Sequence, residues 1–355
     1  MTRASGSPSS TGCLRGEISA GYGVMPPPEI EAAVLPQQTY AFHGLTIAIA
    51  GDLPATRLLG ARFQAFPCLP PRAEPDLAFE FRWGDSDGST PPRPTGARPV
   101  YDFPDGEFLY YDGRDELHLT FRDRIAVECD AVRGRVTTSV LDREPLNHWL
   151  AAHLFFTIPF IELLKRRGLY SVHAAGLELG GRGLLLAGSS GSGKSTLAVA
   201  LLDAGLEFLG DDMLFLALRS EGVRVLAFPD ELDIAPDACA LLPVVSHLAS
   251  VTPSAGTSKH RVSPAELNVT DQKWECAPRV VVFPKIAHAD RSTLTRIDAQ
   301  EALVELAPNV LLTEPHSCRA HLHALARLAA EAACYRLDTG RDFDRLPRLL
   351  RGLLG

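Results

Sequence analysis

The chain has 355 residues, 46% of them hydrophobic and 22% charged, with a formal net charge of −8. That length predicts two domains, or one with a sizeable extension, around an ordinary buried core. With 43 acidic against 35 basic residues, only five of them lysine, no net cationic surface is expected for nucleic acid or anionic lipid, and neither is expected as a partner.

The first 38 residues are rich in Ser, Gly and Pro ("ASGSPSSTG", "VMPPPE") and lack periodicity, which predicts a disordered leader. No apolar run there is long enough for a signal peptide. From 39 to 146 the pattern predicts a β-rich domain: "YAFHGLTIAIAG", "LAFEFRWGD", "EFLYYDG", "ELHLTFRD" and "RIAVECD" alternate in part, with turn dipeptides between them and a loop at 84–99.

Residues 147–167 carry apolar positions at helical spacing and end on a basic cluster and a glycine. They predict a connecting helix, kinked where Pro159 lacks a backbone donor. His153, Pro159 and Glu162 interrupt its apolar run and exclude a membrane span. The cysteines (Cys13, Cys68, Cys129, Cys239, Cys276, Cys318, Cys334) are scattered and never spaced C-x-x-C, which suits reduced thiols in a cytoplasmic protein.

From 168 to 355 the order of elements is strand, loop, helix, strand, the pattern of an α/β nucleotide-binding domain. In "GLLLAGSSGSGKSTLAVALLDAG" an apolar run enters a glycine loop and a helix leaves it at Lys194. The G-x-x-x-x-G-K-S pattern makes Gly188, Ser189, Ser190, Gly191, Ser192, Gly193, Lys194, Ser195 and Thr196 the expected phosphate-binding residues. Glycines let backbone N–H groups turn toward phosphate, the helix N-terminus adds positive dipole, Lys194 reaches the terminal phosphates and Ser195 can ligate Mg²⁺.

After that helix, "GLEFLGDDMLFL" predicts a strand parallel to the one entering the loop, ending at Asp211 and Asp212 on the same sheet edge. Paired carboxylates beside a terminal phosphate suit two jobs, holding Mg²⁺ and accepting a proton from an attacking hydroxyl; the spacing does not say which residue does which. Upstream, "LYSVHAAGLELGGRGLLLAG" predicts a hairpin about "GGRG" that sets His173 level with Ser190, within reach of phosphate or acceptor.

The order "SVHAAG", "GSSGSGKST", "GDD" resembles the catalytic domain of HPr kinase/phosphorylase and the wider HPr-kinase-like group, which is distantly similar to phosphoenolpyruvate carboxykinase and includes kinases that tailor lasso peptides. In that family a histidine precedes the loop lysine as His173 precedes Lys194, and an aspartate pair follows as Asp211 and Asp212 do. The resemblance is tight over 168–216. It implies an HPr-kinase-like P-loop domain, a mixed sheet flanked by helices, after a smaller β-rich domain. It further implies ATP and Mg²⁺, transfer to a serine hydroxyl of a protein or peptide, Asp211 as proton acceptor, Asp212 nearer the metal, and a homo-oligomer as one assembly.

The chain also departs from the family. The "RGLGI"-like segment is replaced by "AFPDELDIAPDA", and the later glycine- and arginine-rich loop is missing; the nearest basic stretch, "GTSKHRVSPAEL", holds Lys259, His260 and Arg261. Glu231 and Asp233 are candidate acidic contributors. Competing readings are a nucleotide-binding regulator, a lasso-peptide or small-molecule kinase, and a transporter-type ATPase, the last opposed by the lack of an LSGGQ-like signature. His316, Cys318, His321 and His323 do not read as a metal site, because His321 and His323 point to opposite sides of a helix.

Overall fold

A computed structural model describes residues 37–51, 53–70, 74–84, 95–103, 106–111, 114–251, 259–269, 272–287, 289–313 and 315–355. The expected leader falls outside the described residues as far as 36, and the expected loop at 84–99 does so over 85–94. Residues 37 and 38, assigned to the leader, instead open the first strand, paired with Ala50 and Ile49.

That strand, β1 (Gln37–Phe42), forms a hairpin with β2 (Leu45–Gly51). The two turn residues, His43 and Gly44, both have positive φ (46° and 87°), the conformation that matches strand twist. His43 is held in it by a 2.7 Å hydrogen bond from its Nε2 to the carbonyl of Ala227, far along the chain.

Next comes a helix that the strand pattern did not anticipate, α1 (Pro54–Arg62). Its sequence, PATRLLGAR, carries the signal: proline in the first turn, then strong helix formers. The strands β3 (Cys68–Leu69), β4 (Leu77–Trp83), β5 (Arg98–Phe103), β6 (Gly106–Tyr111), β7 (Glu116–Phe121), β8 (Ile125–Asp130) and β9 (Arg135–Val140) complete a sheet ordered β3-β1-β2-β4-β9-β8-β7-β6-β5. Period-two alternation drives Ile47 and Ile49, Phe79 and Phe81, Leu117 and Leu119, and Ile125 and Val127 into one core.

The single kinked helix expected over 147–167 is two helices, α2 (Pro145–Ala152) and α3 (Leu154–Lys165), broken at His153 (φ −110°, ψ −83°). At the break the His153 backbone N–H and ring Nδ1 both bond to the Trp149 carbonyl, at 3.0 and 2.9 Å, closing the turn before the helix axis changes. Pro159 sits inside α3 without ending it; its missing N–H costs one bond, and Phe155, Phe156 and Phe160 around it are fully buried. At the end of α3 a buried Lys165 ammonium lies 2.7 Å from Glu162 and 2.5 Å from the Leu311 carbonyl, tying the helix to the later half of the chain.

The second sheet contains β10 (Leu169–Val172), β11 (Ala174–Leu179), β12 (Arg182–Ala187), the helix α4 (Lys194–Asp203), then β13 (Glu207–Gly210), β14 (Leu214–Arg219) and β15 (Gly222–Leu226). A small hairpin, β16 (Leu232–Ile234) with β17 (His260–Val262), flanks α5 (Pro236–Cys239) in sequence. The long β18 (Glu275–Ile286), β19 (Thr293–Ile297), α6 (Ala299–Leu306), α7 (Pro315–Glu331), β20 (Ala333–Thr339) and α8 (Leu346–Gly352) end the chain. Strand order is β10-β14-β15-β18-β12-β11-β13, with β20 beside β18 and β19 beside β20.

The "LLLA" run of β12 is buried on both faces. Leu184 and Leu186 pack with α4 and α8 residues, while Leu185 and Ala187 pack with α6 and α7 residues. The result is a mixed α/β layer structure. Its sheet also meets the first half directly: Phe42, Phe160 and Phe215 pack edge-on at centroid distances of 5.3, 5.6 and 5.8 Å. Each such buried ring contributes about 1.5–3 kcal/mol, so the seam between the halves is part of the core. Among the described residues no helix is long and apolar enough to cross a membrane.

Candidate functional site

Between β12 and α4 the chain turns on glycines with positive φ: Gly188 at 152°, Gly191 at 81° and Gly193 at 98°. A Cβ added to Gly191 or Gly193 meets nothing within 4 Å, so backbone conformation, not crowding, demands glycine there, and open space lies beside the loop. Gly193 caps α4 without any side-chain bond, which leaves the first amides of the helix available to an anion. Lys194 is buried, and its ammonium donates to the carbonyls of Gly188 (2.8 Å) and Ser189 (3.1 Å). Burial lowers its pKa; Asp212 and Asp211 raise it, and Lys259 lowers it. Ser192 Oγ is buried with no partner.

β11 separates β12 from β13 and runs antiparallel to both, so β12 and β13 point the same way and deliver loop and aspartates to one sheet edge. Asp211 follows β13, is 1% exposed, and neither carboxylate oxygen has a hydrogen-bond partner. Burial pushes its pKa up to about 7 and the Asp212 charge adds to the rise; the Ser195 hydroxyl and the Asp212 N–H, near the carboxylate but outside hydrogen-bond geometry, and the Lys194 ammonium oppose it.

Asp212 has φ 65°, and the Met213 N–H reaches over it to the Asp211 carbonyl at 2.8 Å, a three-residue turn in a strained conformation. Replacing Asp212 by glycine therefore relieves both strain and like-charge repulsion, and is expected to stabilise the ligand-free protein by about 1 kcal/mol in urea unfolding.

His173 sits where the edge splits, β10 pairing with β14 and β11 pairing with β12 and β13. Ala174 pairs Ala187 and Leu179 pairs Arg182 about the turn glycines 180 and 181, a register that brings His173 level with Gly188 rather than the expected Ser190. The two-residue turn with both φ positive accounts for the difference. His173 is occupied by the aspartate turn: Nδ1 donates to the Asp212 carbonyl at 2.9 Å, Nε2 lies 3.7 Å from the Asp212 carboxylate, and its backbone N–H donates to Asn309.

Next to this turn is a cleft of about 520 Å³. His173, Asp211 and Asp212 line one part of it; none of residues 188–196 does. The rest comes from both halves of the chain: Arg62, Trp149 and His153 from the first, Asp230, Glu231, Asp233 and Arg261 from the second. Arg62 bridges them, 2.9 Å from Asp230 and 3.2 Å from both Ala152 O and Thr157 Oγ1. Arg261 lies 3.2 Å from Glu231 and 3.7 Å from Asp233 across the β16–β17 hairpin.

No family model and no curated protein matches the chain. Among solved structures, it is similar to the HPr(Ser) kinase/phosphatase of Coxiella burnetii, at 14% identity over 51% of this chain and 94% of that one, with a TM-score of 0.29.

Of the expected residues, Lys194, Ser195, Asp211, Asp212 and His173 come together at one sheet edge. Glu231, Asp233 and Arg261 join the cleft beside them, whereas His260 points into the interior, its Nε2 buried without a partner. Residues 256–258 of the basic stretch and the His316 side chain lie outside the described residues. His321 is a core residue whose Nε2 donates to the Ser171 carbonyl at 2.6 Å, with a pKa lowered to about 4 by burial. Among the described residues no group of three potential ligands converges on a metal position. Arg62, Trp149, His153, Asp230 and Asn309 were not foreseen, and no local spacing in the sequence marks them.

Proposed function

We propose that the chain is an ATP-dependent phosphotransferase that carries the γ-phosphoryl group to a hydroxyl, a serine of a protein or peptide being the leading acceptor. The observation that carries this reading is Asp211, a buried carboxylate without a partner, beside a glycine loop whose lysine is also buried. A structural aspartate would be paired; one that titrates near neutrality is suited to accept a proton.

The loop fits a nucleotide triphosphate: unfilled space beside Gly191 and Gly193, uncapped helix amides, and an ammonium resting on carbonyls it can leave. Ser195 and Asp212 would hold Mg²⁺, which supplies charge neutralisation on the phosphates. Lys194 would turn from Gly188 and Ser189 to the terminal phosphates. Asp211 would take the hydroxyl proton, and His173 would fix the Asp212 turn through its Nδ1 bond.

The test is transfer from γ-labelled ATP with Mg²⁺ to fractionated lysate of the source cells. Label in a discrete protein or peptide is the expected result. Tight ATP binding with no labelled product in any fraction would replace this reading with that of a nucleotide-binding regulator.

A further inference from the structure

The cleft reaches Asp211 from a side that none of residues 188–196 lines. In-line phosphoryl transfer needs the attacking oxygen opposite the leaving group, so nucleotide and acceptor must approach the aspartate turn from different directions. Asp211, nine-tenths buried and unpartnered, belongs to both neighbourhoods.

The charge of the lining is lopsided. Beyond the aspartate pair itself, three carboxylates, Asp230, Glu231 and Asp233, face two arginines. Both arginines are committed: Arg62 to Asp230, Ala152 and Thr157 while lying against the Phe156 and Phe228 rings at 5.7 and 5.5 Å, and Arg261 to Glu231 and Asp233. His153 adds no cation, since burial and the Arg62 charge push its pKa down to about 4. Trp149, stacked on His153 at 4.4 Å, supplies the kind of aromatic wall that cations favour. A volume of about 520 Å³ is within the range of small-molecule and side-chain pockets.

We propose that this cleft is the acceptor pocket and that it selects a hydroxyl accompanied by a cationic group, with the hydroxyl at Asp211 and the ammonium or guanidinium among Glu231, Asp233 and Trp149. The inference rests on the phosphotransferase reading. The acceptor oxygen bonds to the γ-phosphorus as the bond from that phosphorus to the β,γ-bridging oxygen breaks; the electron pair leaves with ADP and the hydroxyl proton passes to Asp211. The cation has two sources, a free amino alcohol or a serine flanked by lysine or arginine.

The experiment uses the full chain, γ-labelled ATP and Mg²⁺ with two matched probe sets. One set is serinol and kanamycin against glycerol and glycerate; the other is a Lys-Arg-Ser-Lys peptide against its Gln and Glu counterparts. Cationic probes are expected to exceed their uncharged and anionic counterparts by about tenfold in kcat/KM, in the free or the peptide arm according to the source. The Glu231→Gln, Asp233→Asn double variant is expected to lose that preference through KM and to turn toward the anionic probes, because Arg261 loses both partners; both sites are half exposed, so the fold tolerates the change.

Where no probe is phosphorylated, quenching of Trp149 fluorescence in a Trp83→Phe, Trp274→Phe background reads binding in the presence of ATP. Cation-selective quenching that the double variant abolishes supports the proposal. Equal or better use, or binding, of anionic or neutral probes overturns it while the phosphotransferase reading stands. Failure to bind ATP overturns that reading and this inference with it.

Discussion

Replacing Lys194 by alanine is expected to lower phosphoryl transfer by about 10³-fold or more, with a smaller loss in ATP affinity. The side chain is buried at the first position of α4, where burial alone would favour the neutral amine; the Asp212 and Asp211 charges oppose that and favour the ammonium. Its present partners are two loop carbonyls, neutral acceptors that it can exchange for phosphate oxygens at little cost. The cation is needed most as charge shifts onto the leaving phosphate, so the rate should fall further than binding. Lys194→Met keeps most of the apolar stem and serves as the control: equal loss in both variants assigns the effect to charge. Near-full transfer by either variant would sink the mechanism.

Asp211→Asn is expected to cost about 10²–10⁴-fold in transfer, the usual contribution of a positioned general base, while ATP binding is retained. The same substitution has a signature in the ligand-free protein that needs no assay of transfer. The folded-state pKa of Asp211, about 7, lies well above that of an unfolded aspartate. The folded form therefore holds a proton that the unfolded form has released, and its stability is full below pH 4 and declines as pH rises through 7. Asparagine carries no such proton. Relative to wild type the variant should gain stability above pH 7, and the gain should shrink as pH falls from 7 toward 4. Urea unfolding at pH 5 and pH 8.5, without nucleotide or metal, measures the difference; a pH-independent difference would mean that Asp211 is not held near neutrality by its burial.

These two residues show how unevenly the site is written in the sequence. The strand–loop–helix around Lys194 is legible because every requirement is local. An unbroken apolar run makes a strand buried on two faces, glycines permit positive φ, and a run of helix formers follows the loop lysine. The position of Asp211 at the same edge follows from one further rule, the handedness of a short crossover. Its lack of any partner does not follow, because that depends on what β11, β13 and α4 together exclude.

The structure departs from the local pattern where that pattern has more than one tertiary outcome. Pro159 signals a distortion but not its place, and the helix broke at His153, where ring and backbone share the Trp149 carbonyl. The glycine turn at 180 and 181 admits several hairpin lengths, and the tightest was adopted, moving His173 by two positions. The α1 helix was hidden among strands because nine residues are too few for periodicity to stand out.

By itself, then, the sequence determined the α/β order of the second half, the glycine loop with its lysine and the aspartate pair, all features settled by chain spacing of a few to some twenty residues. Only the tertiary structure decided that His173 serves the Asp212 turn, that Phe42, Phe160 and Phe215 join the halves in one core, and that Arg62 meets Asp230 to frame a cleft. Those pairings span from about forty to about 170 positions, and they are chosen by the packing of whole sheets and helices against one another. No repeat, propensity or motif within a short window carries that information.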